Sequence, residues 1–308
     1  MTKLLQATVD GLAVGSLYAL IALGYTMVYG ILKFINFAHS DIFMLGAWLS
    51  YLIAHQFGWG TAAAEAPIYA PLVVLAGSML VCGTLGYTIE RLAYRPLRSA
   101  PRINVLITAI GVSLFLENVG QLERVFGTRP QRMPTLLPDA PLAQIAGVNL
   151  NLVDVLVIGV SLLLMAGLEW LIYRTKLGLA MRAVSYDTRT AALMGINVDR
   201  VVSATFVVGS TLAAAAGFLY AAKYPGLNQP ADGGWVLLGL KAFVAAVVGG
   251  IGNVRGAMAG GLLIGVVELF GAAYFSPHLR DVYVFTLLIA VLLLRPAGLL
   301  GKATVEKV

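Results

Sequence analysis

The sequence predicts an all-α polytopic membrane protein of about eight or nine transmembrane helices, some short or broken. Composition is the first reason: 59% of the 308 residues are hydrophobic and 12% charged, with a mean hydropathy of +0.85. An ordinary soluble domain carries about 25% charge. Second, the apolar residues gather into runs near the roughly 20-residue length that spans a bilayer core. Third, the period-two alternation of a membrane barrel is absent. A backbone in hydrocarbon must satisfy its own amides, so the runs read as helices.

The runs lie at about 4–31, 40–57, 68–90, 103–120, 152–173, 201–222, 236–251, 256–275 and 281–295, each bounded by charge, Gly or Pro. The first is expected to be a retained span, since it is too long for a secretory leader and lacks a small-residue cleavage site. The runs at 40–57 and 236–251 are short, and whether the former crosses or re-enters leaves the side of the N-terminus open. No repeat or linker divides the chain, so one transmembrane domain over 1–308 is expected. The single cysteine, Cys82, excludes an internal disulfide and reads as a small core residue.

Orientation follows from the short loops. Glu90 is followed by Arg91, Arg95, Arg98 and Arg102, which places that loop in the cytoplasm. Counting crossings puts the loop at about 174–200, with Arg174, Lys176, Arg182, Arg189 and Arg200, on the same side, and Lys302 and Lys307 agree. The loop at about 121–150 then faces out despite Arg124, Arg129 and Arg132, and Pro130, Pro134, Pro138 and Pro141 predict an irregular segment there. The net charge of +6 is spread over these loops rather than set in one stripe, so a membrane surface is expected as partner and nucleic acid is not.

No catalytic residues are expected. The sequence has no GxxxxGK[ST] phosphate loop: Gly301 and Lys302 are followed by Ala303. His39, His55 and His278 are scattered, with no metal-ligand spacing, and no GxSxG or GxGxxG turn occurs in a strand-to-helix setting. No cofactor or metal is implied.

The loop from Leu177 to Arg200 is patterned as one or two short helices. Asp187 is an N-cap candidate for a helix over Thr188 to Met194, and Gly195 suits the left-handed position that ends it. Ala191, Leu193 and Met194 give it an apolar face. Two readings stand side by side: docking into a groove on a partner, and an amphipathic turn lying on the bilayer.

At this loop the chain resembles the bacterial ABC importer permeases, and more closely the high-affinity branched-chain amino acid permeases. The resemblance covers nearly the whole chain, through GSLYALIALGYTMVYGILKFINFAHSDIFMLGAW, MRAVSYDTRTAALMGINVDRV, KAFVAAVVGGIGNVRGAMAGGLLIG and the closing VEKV. In the wider superfamily the loop often reads EAA, three residues, then Gly. Aligned on Gly195, those positions hold Arg189, Thr190 and Ala191, so the Glu is missing. The resemblance implies that Gly178, Arg182, Asp187, Ala191, Leu193, Met194, Gly195 and Ile196 couple the chain to an ATPase. It further implies two cytoplasmic ATP-binding subunits, a second homologous permease subunit and a periplasmic substrate-binding protein, in a bacterial inner membrane. Leucine, isoleucine and valine are the implied substrates, moved by alternating access. A urea or short-amide importer permease, or a self-sufficient ion-coupled carrier or channel, remains the alternative.

Candidate path residues are the polar break at Asn36, His39, Ser40 and Asp41 and the glycines Gly249 and Gly250. The break reads either as a broken helix lining the path or as an interfacial loop in which Asn36 or Ser40 caps the next helix. Gly249, Gly250, Gly252, Gly256, Gly260 and Gly261 read as a turn at 249–252 followed by tight helix packing. Among ionisable residues inside the runs, Lys241 and Glu268 are expected to pair, while Asp10 and Glu117 are expected near interfaces.

Overall fold

A computed structural model describes residues 2–60, 66–98, 100–137, 141–145 and 148–301. Lys302, Lys307 and Pro138 lie outside the described residues. The helices are α1 (Thr2–Leu32), α2 (His39–Gln56), α3 (Ala70–Ile89), α4 (Arg102–Gly120), α5 (Leu152–Arg174), α6 (Lys176–Tyr186), α7 (Thr188–Leu193), α8 (Val198–Lys223), α9 (Gly233–Gly249), α10 (Val254–Tyr274) and α11 (Arg280–Leu294). Every apolar run is a helix, and the patterned loop supplies α6 and α7. Among the described residues, seven helices are long and apolar enough to cross a membrane. The 18-residue α2, with its polar first turn, and the 17-residue α9 complete the bundle.

The chain is all-α, with only four short strands among the described residues. Within the irregular 121–150 segment, β1 (Gln131–Arg132) pairs antiparallel with β4 (Gly226–Leu227), and β2 (Pro141–Ile145) pairs with β3 (Val148–Asn151). They lie between helices, where backbone amides need partners that no helix supplies.

The core is built around α1, buried along nearly its whole length. Its mate is α10, and glycines set their separation. A Cβ on Gly15 would lie 2.9 Å from the carbonyl oxygen of Gly261, and one on Gly11 would lie 2.8 Å from Cα of Val266. Gly261 and Gly265 press in turn on the backbones of Ala19 and Gly15. Within a bilayer the hydrophobic effect does not drive helices together, so dispersion across such close backbone contacts is what holds them. The expected packing role of Gly256 and Gly260 is likewise observed: they lie on the backbones of Gly249 and Ala245, joining α10 to α9. The expected turn is there too, with Gly250 at φ +107° and Gly252 at φ +93°.

Two ends are distinguishable. At one, Arg95 and Arg98 pair with Asp199 at the start of α8, so the 91–102 and 174–200 loops share an end as their charges required. At the other, the amide of Asn149 donates to Gln6 and that of Met133 to the carbonyl of Pro225, which places the start of α1 beside the 121–150 segment. The N-terminus is therefore opposite the arginine-rich end. Helices α3, α4, α5 and α11 leave most of their apolar surface uncovered, the expected state of lipid-facing or partner-facing helices.

The Gly15→Val substitution is expected to destabilise the protein by about 3 kcal/mol or more through overpacking against backbone. Gly167→Ala on α5, where an added Cβ meets nothing within 4 Å, is expected to be neutral or slightly stabilising. Thermal unfolding of the detergent-purified protein checks both.

Candidate functional site

The polar break after α1 is the first site. Lys33 takes a left-handed conformation, φ 55°, and ends the helix. The chain then climbs back inside the protein instead of running along the surface: Asn36 is 2% exposed and Ala38 fully buried. His39, the first residue of α2, packs its ring on Gly24 and edge-on to Tyr25 with centroids 4.8 Å apart. That contact lies roughly two helical turns above Leu32, so α2 begins within the depth of the bundle. From there it climbs to the far end, where the Trp48 indole donates to the carbonyl of Asn228 at 3.2 Å and the Tyr51 hydroxyl to Gln131 at 3.1 Å. The segment 33–56 thus crosses as an extended entry followed by a helix.

This overturns the interfacial-loop reading together with its caps. The N-cap position is Ala38, already in helical conformation, and no side chain caps α2. The Ser40 hydroxyl instead donates to the carbonyl of Phe37 at 2.9 Å, and Asn36 accepts from the Tyr94 hydroxyl at 2.5 Å. The break also gathers polar atoms without hydrogen-bond partners: Thr26 Oγ1, Asn36 Nδ2, His39 Nε2 and both carboxylate oxygens of Asp41. Facing Asp41 from α4 are Ser113 and Glu117. Glu117, in the last turn of α4, is half-buried and lines a cavity of about 410 Å³ with Tyr25, Ser40 and Ser113. Its helical position on α4 turns it toward α2 and α9. Gly249 and Gly250 do not join this group. They are packed beneath the backbone of 299–301, whose Leu299 and Leu300 amides donate to the carbonyls of Val248 and Gly249 at 2.8 and 3.0 Å.

The second site is the capped loop. Thr175 caps α6 by accepting from the amide of Gly178 at 3.1 Å, and Gly178 is pressed onto the carbonyls of Leu171 and Ile172, so it sets the bend between α5 and α6. The Arg182 guanidinium lies 5.4 Å from the Tyr173 ring, which Arg255 approaches at 4.9 Å. Asp187 caps α7 by accepting from the amides of Arg189 at 2.8 Å and Thr190 at 3.2 Å and from the Thr190 hydroxyl at 2.7 Å. Those bonds, the Thr190 hydroxyl's foremost, hold the carboxyl below its ordinary range. The cap is therefore in place at neutral pH and is lost only as pH falls below that range.

The end of α7 closes as the spacing predicted. Gly195 has φ +81°, its amide donates to Ala192 at 3.0 Å, and the amide of Ile196 donates to Ala191 at 3.1 Å. This is the paired bonding of a Schellman end. Ala191 is the only buried residue of α7; Leu193 is 87% exposed and Met194 78%. The apolar face therefore points away from this chain, with Tyr186, 95% exposed, beside it.

Beneath the loop lies an ion network that spacing alone did not reveal. Glu90, fully buried on a π-helical turn (Glu90–Tyr94) that continues α3, pairs with Arg98 and accepts from the Ser203 hydroxyl at 2.5 Å. Arg98 also binds Asp199 at 2.6 Å. In the spans, Lys241 binds Glu268 at 2.9 Å as expected and Asp281 at 2.6 Å, while the Tyr18 hydroxyl donates to Glu268 at 2.9 Å. Asp281 and Tyr18 were not legible as partners because they lie at a helix start and on a distant run. Asp10 does lie near an interface, accepting from Gln6 at 3.2 Å.

Comparison with known proteins agrees with this architecture. The model of the family described as the permease component of branched-chain amino acid transport systems matches residues 7–292. The chain is 45% identical to the high-affinity branched-chain amino acid transport system permease protein BraD of Pseudomonas aeruginosa, over 99% of this chain and 98% of that one. It is 40% identical to the corresponding permease LivH of Escherichia coli K12, over 99% and 97%. A probable LivH of Methanocaldococcus jannaschii is 28% identical over 93% and 89%. A bundle of apolar helices carrying a capped, outward-facing loop helix, matched along nearly its whole length by such proteins, belongs to the permease-component family of branched-chain amino acid transport systems.

Proposed function

We propose that this chain is the transmembrane permease subunit of an ABC importer for leucine, isoleucine and valine in a bacterial inner membrane, with its arginine-rich end in the cytoplasm. ATP hydrolysis belongs to two separate cytoplasmic subunits, and a second homologous permease subunit and a periplasmic binding protein complete the assembly. The observation that carries the coupling role is α7: a helix closed at both ends, with Leu193 and Met194 exposed beside charged Arg189 and the cap Asp187. Such a rigid apolar tip suits a groove on a protein partner.

The path runs by the buried break at Asn36, His39, Ser40 and Asp41, whose unpartnered polar atoms face the bundle interior. Intramembrane polar groups in that position favour a route for polar cargo over a purely structural role. Gly249 and Gly250 serve the route as the close-packed turn between α9 and α10.

A β-branched residue at position 195 costs about 1–2 kcal/mol in the left-handed conformation, enough to depopulate the capped end of α7 roughly tenfold. Gly195→Val is thus expected to lower ATP-driven leucine uptake by a similar factor while hydrolysis continues; unchanged uptake in reconstituted vesicles would sink the coupling role. Leu193→Asp is expected to abolish co-purification of the ATPase subunits, measured by quantitative gel analysis of the complex. Activity of this chain alone in liposomes without ATP would favour the ion-coupled carrier instead.

A further inference from the structure

Among the described residues, the buried acids come with bases except at Asp41. Glu90 has Arg98, Asp154 has Lys223, and Glu268 has Lys241. Asp41 and Glu117 form no ion pair with any Lys or Arg among the described residues. Asp41 is 1% exposed, and no basic group reaches its oxygens; the polar side chains that face it are Ser113 and Glu117 of α4. The start of α2 favours a negative charge in its first turn, but it supplies no full counter-charge. Ser113 and Glu117 interact with Asp41 from α4 and both line the 410 Å³ cavity, whose remaining wall is apolar, with Ile110, Leu114, Val236 and Phe243 among its residues. An apolar pocket of this size with a few convergent polar groups is the usual form of a small-molecule site.

Two ionised carboxylates facing each other in an apolar surround are unfavourable together, so the pair either shares a proton or takes a cation, and an incoming ammonium group can replace that proton. A bare cation would leave the hydrocarbon wall unused. A primary ammonium on an aliphatic chain uses both features, through charge-assisted hydrogen bonds at one end and apolar burial at the other. Building on the importer reading above, we propose that Glu117, with Asp41 packed behind it, forms the intramembrane station that holds the α-ammonium group of an aliphatic amino acid in the cavity between α1, α2, α4 and α9.

The test is the thermal shift of the purified permease–ATPase complex in nanodiscs without the binding protein. Millimolar L-leucine and isoamylamine, which lacks the carboxylate, are expected to raise the unfolding temperature. Isocaproate, which lacks the ammonium, is not. Glu117→Gln and Asp41→Asn are each expected to weaken the apparent leucine affinity about tenfold or more, the loss expected for a hydrogen bond to a charged group. Glu117 lies on a helix that is largely uncovered, so the first variant does not depend on the core. The isocaproate comparison needs no variant at all. Three results overturn the proposal: a shift with isocaproate, or with sodium or potassium alone, equal to that with leucine; equal leucine affinity in the unmodified complex and the Glu117→Gln variant; or no leucine shift. ATP-driven leucine uptake by the unmodified complex with its binding protein separates the two readings: uptake without a leucine shift ends the ammonium station alone, and no uptake ends the importer reading beneath it.

Discussion

Everything else in this bundle is placed by the contact of α1 with α10. Glycines at 11, 15, 261 and 265 bring the two backbones together where no side chain fits. With α1 at the centre, its other faces receive α8, α9, α5 and the start of α2, where the polar break packs His39 on Gly24. A wider α1–α10 spacing would move His39 off Gly24, and the start of α2 with it. The depth of Asp41 is thus a product of glycine packing on the opposite face of the same helix.

Charge is handled in two ways. Where the helices need fastening, acids and bases are joined across elements: Asp154 with Lys223 near the far end, Glu268 and Asp281 with Lys241 within the spans, and Glu90 and Asp199 with Arg98 at the arginine-rich end. Removing one member of a buried pair is costly because the other is left uncompensated. At the break, Asp41 stands without a base, and Glu117, which faces it from α4, lines a cavity.

Local features were readable from the sequence, and of the contacts between helices only those between consecutive runs were. The apolar runs gave the helices because the bilayer leaves the backbone no other choice. The two ends of α7 were readable because Asp187 and Gly195 act within a few residues of themselves. Lys241 with Glu268 was readable as opposite charges on consecutive runs. Hydropathy does not distinguish a polar segment at the surface from one inside the protein, so the interfacial reading of 36–41 and the caps assigned to Asn36 and Ser40 failed. The facing of Glu117 toward Asp41 and the service of Arg98 to two acids depend on helix rotation and crossing, which no single segment encodes. The pairing of β1 with β4 joins segments far apart in sequence, and turn composition alone announced only irregularity.

The end of α7 and the start of α8 leave almost no slack between them. Gly195 closes one helix, and Asn197 opens the next by accepting from the amide of Arg200 at 3.1 Å. Asp199, on the first turn of α8, is clamped by Arg95 and Arg98. The joint between α7 and α8 is thus bounded by a helix end, a cap and an ion clamp within five residues, and α8 runs on from it for 26 residues. Its far end carries Lys223, tied to Asp154. The two ends of this one helix are thus each fastened by ion pairs to a neighbouring element, Asp199 to the 91–102 loop and Lys223 to α5.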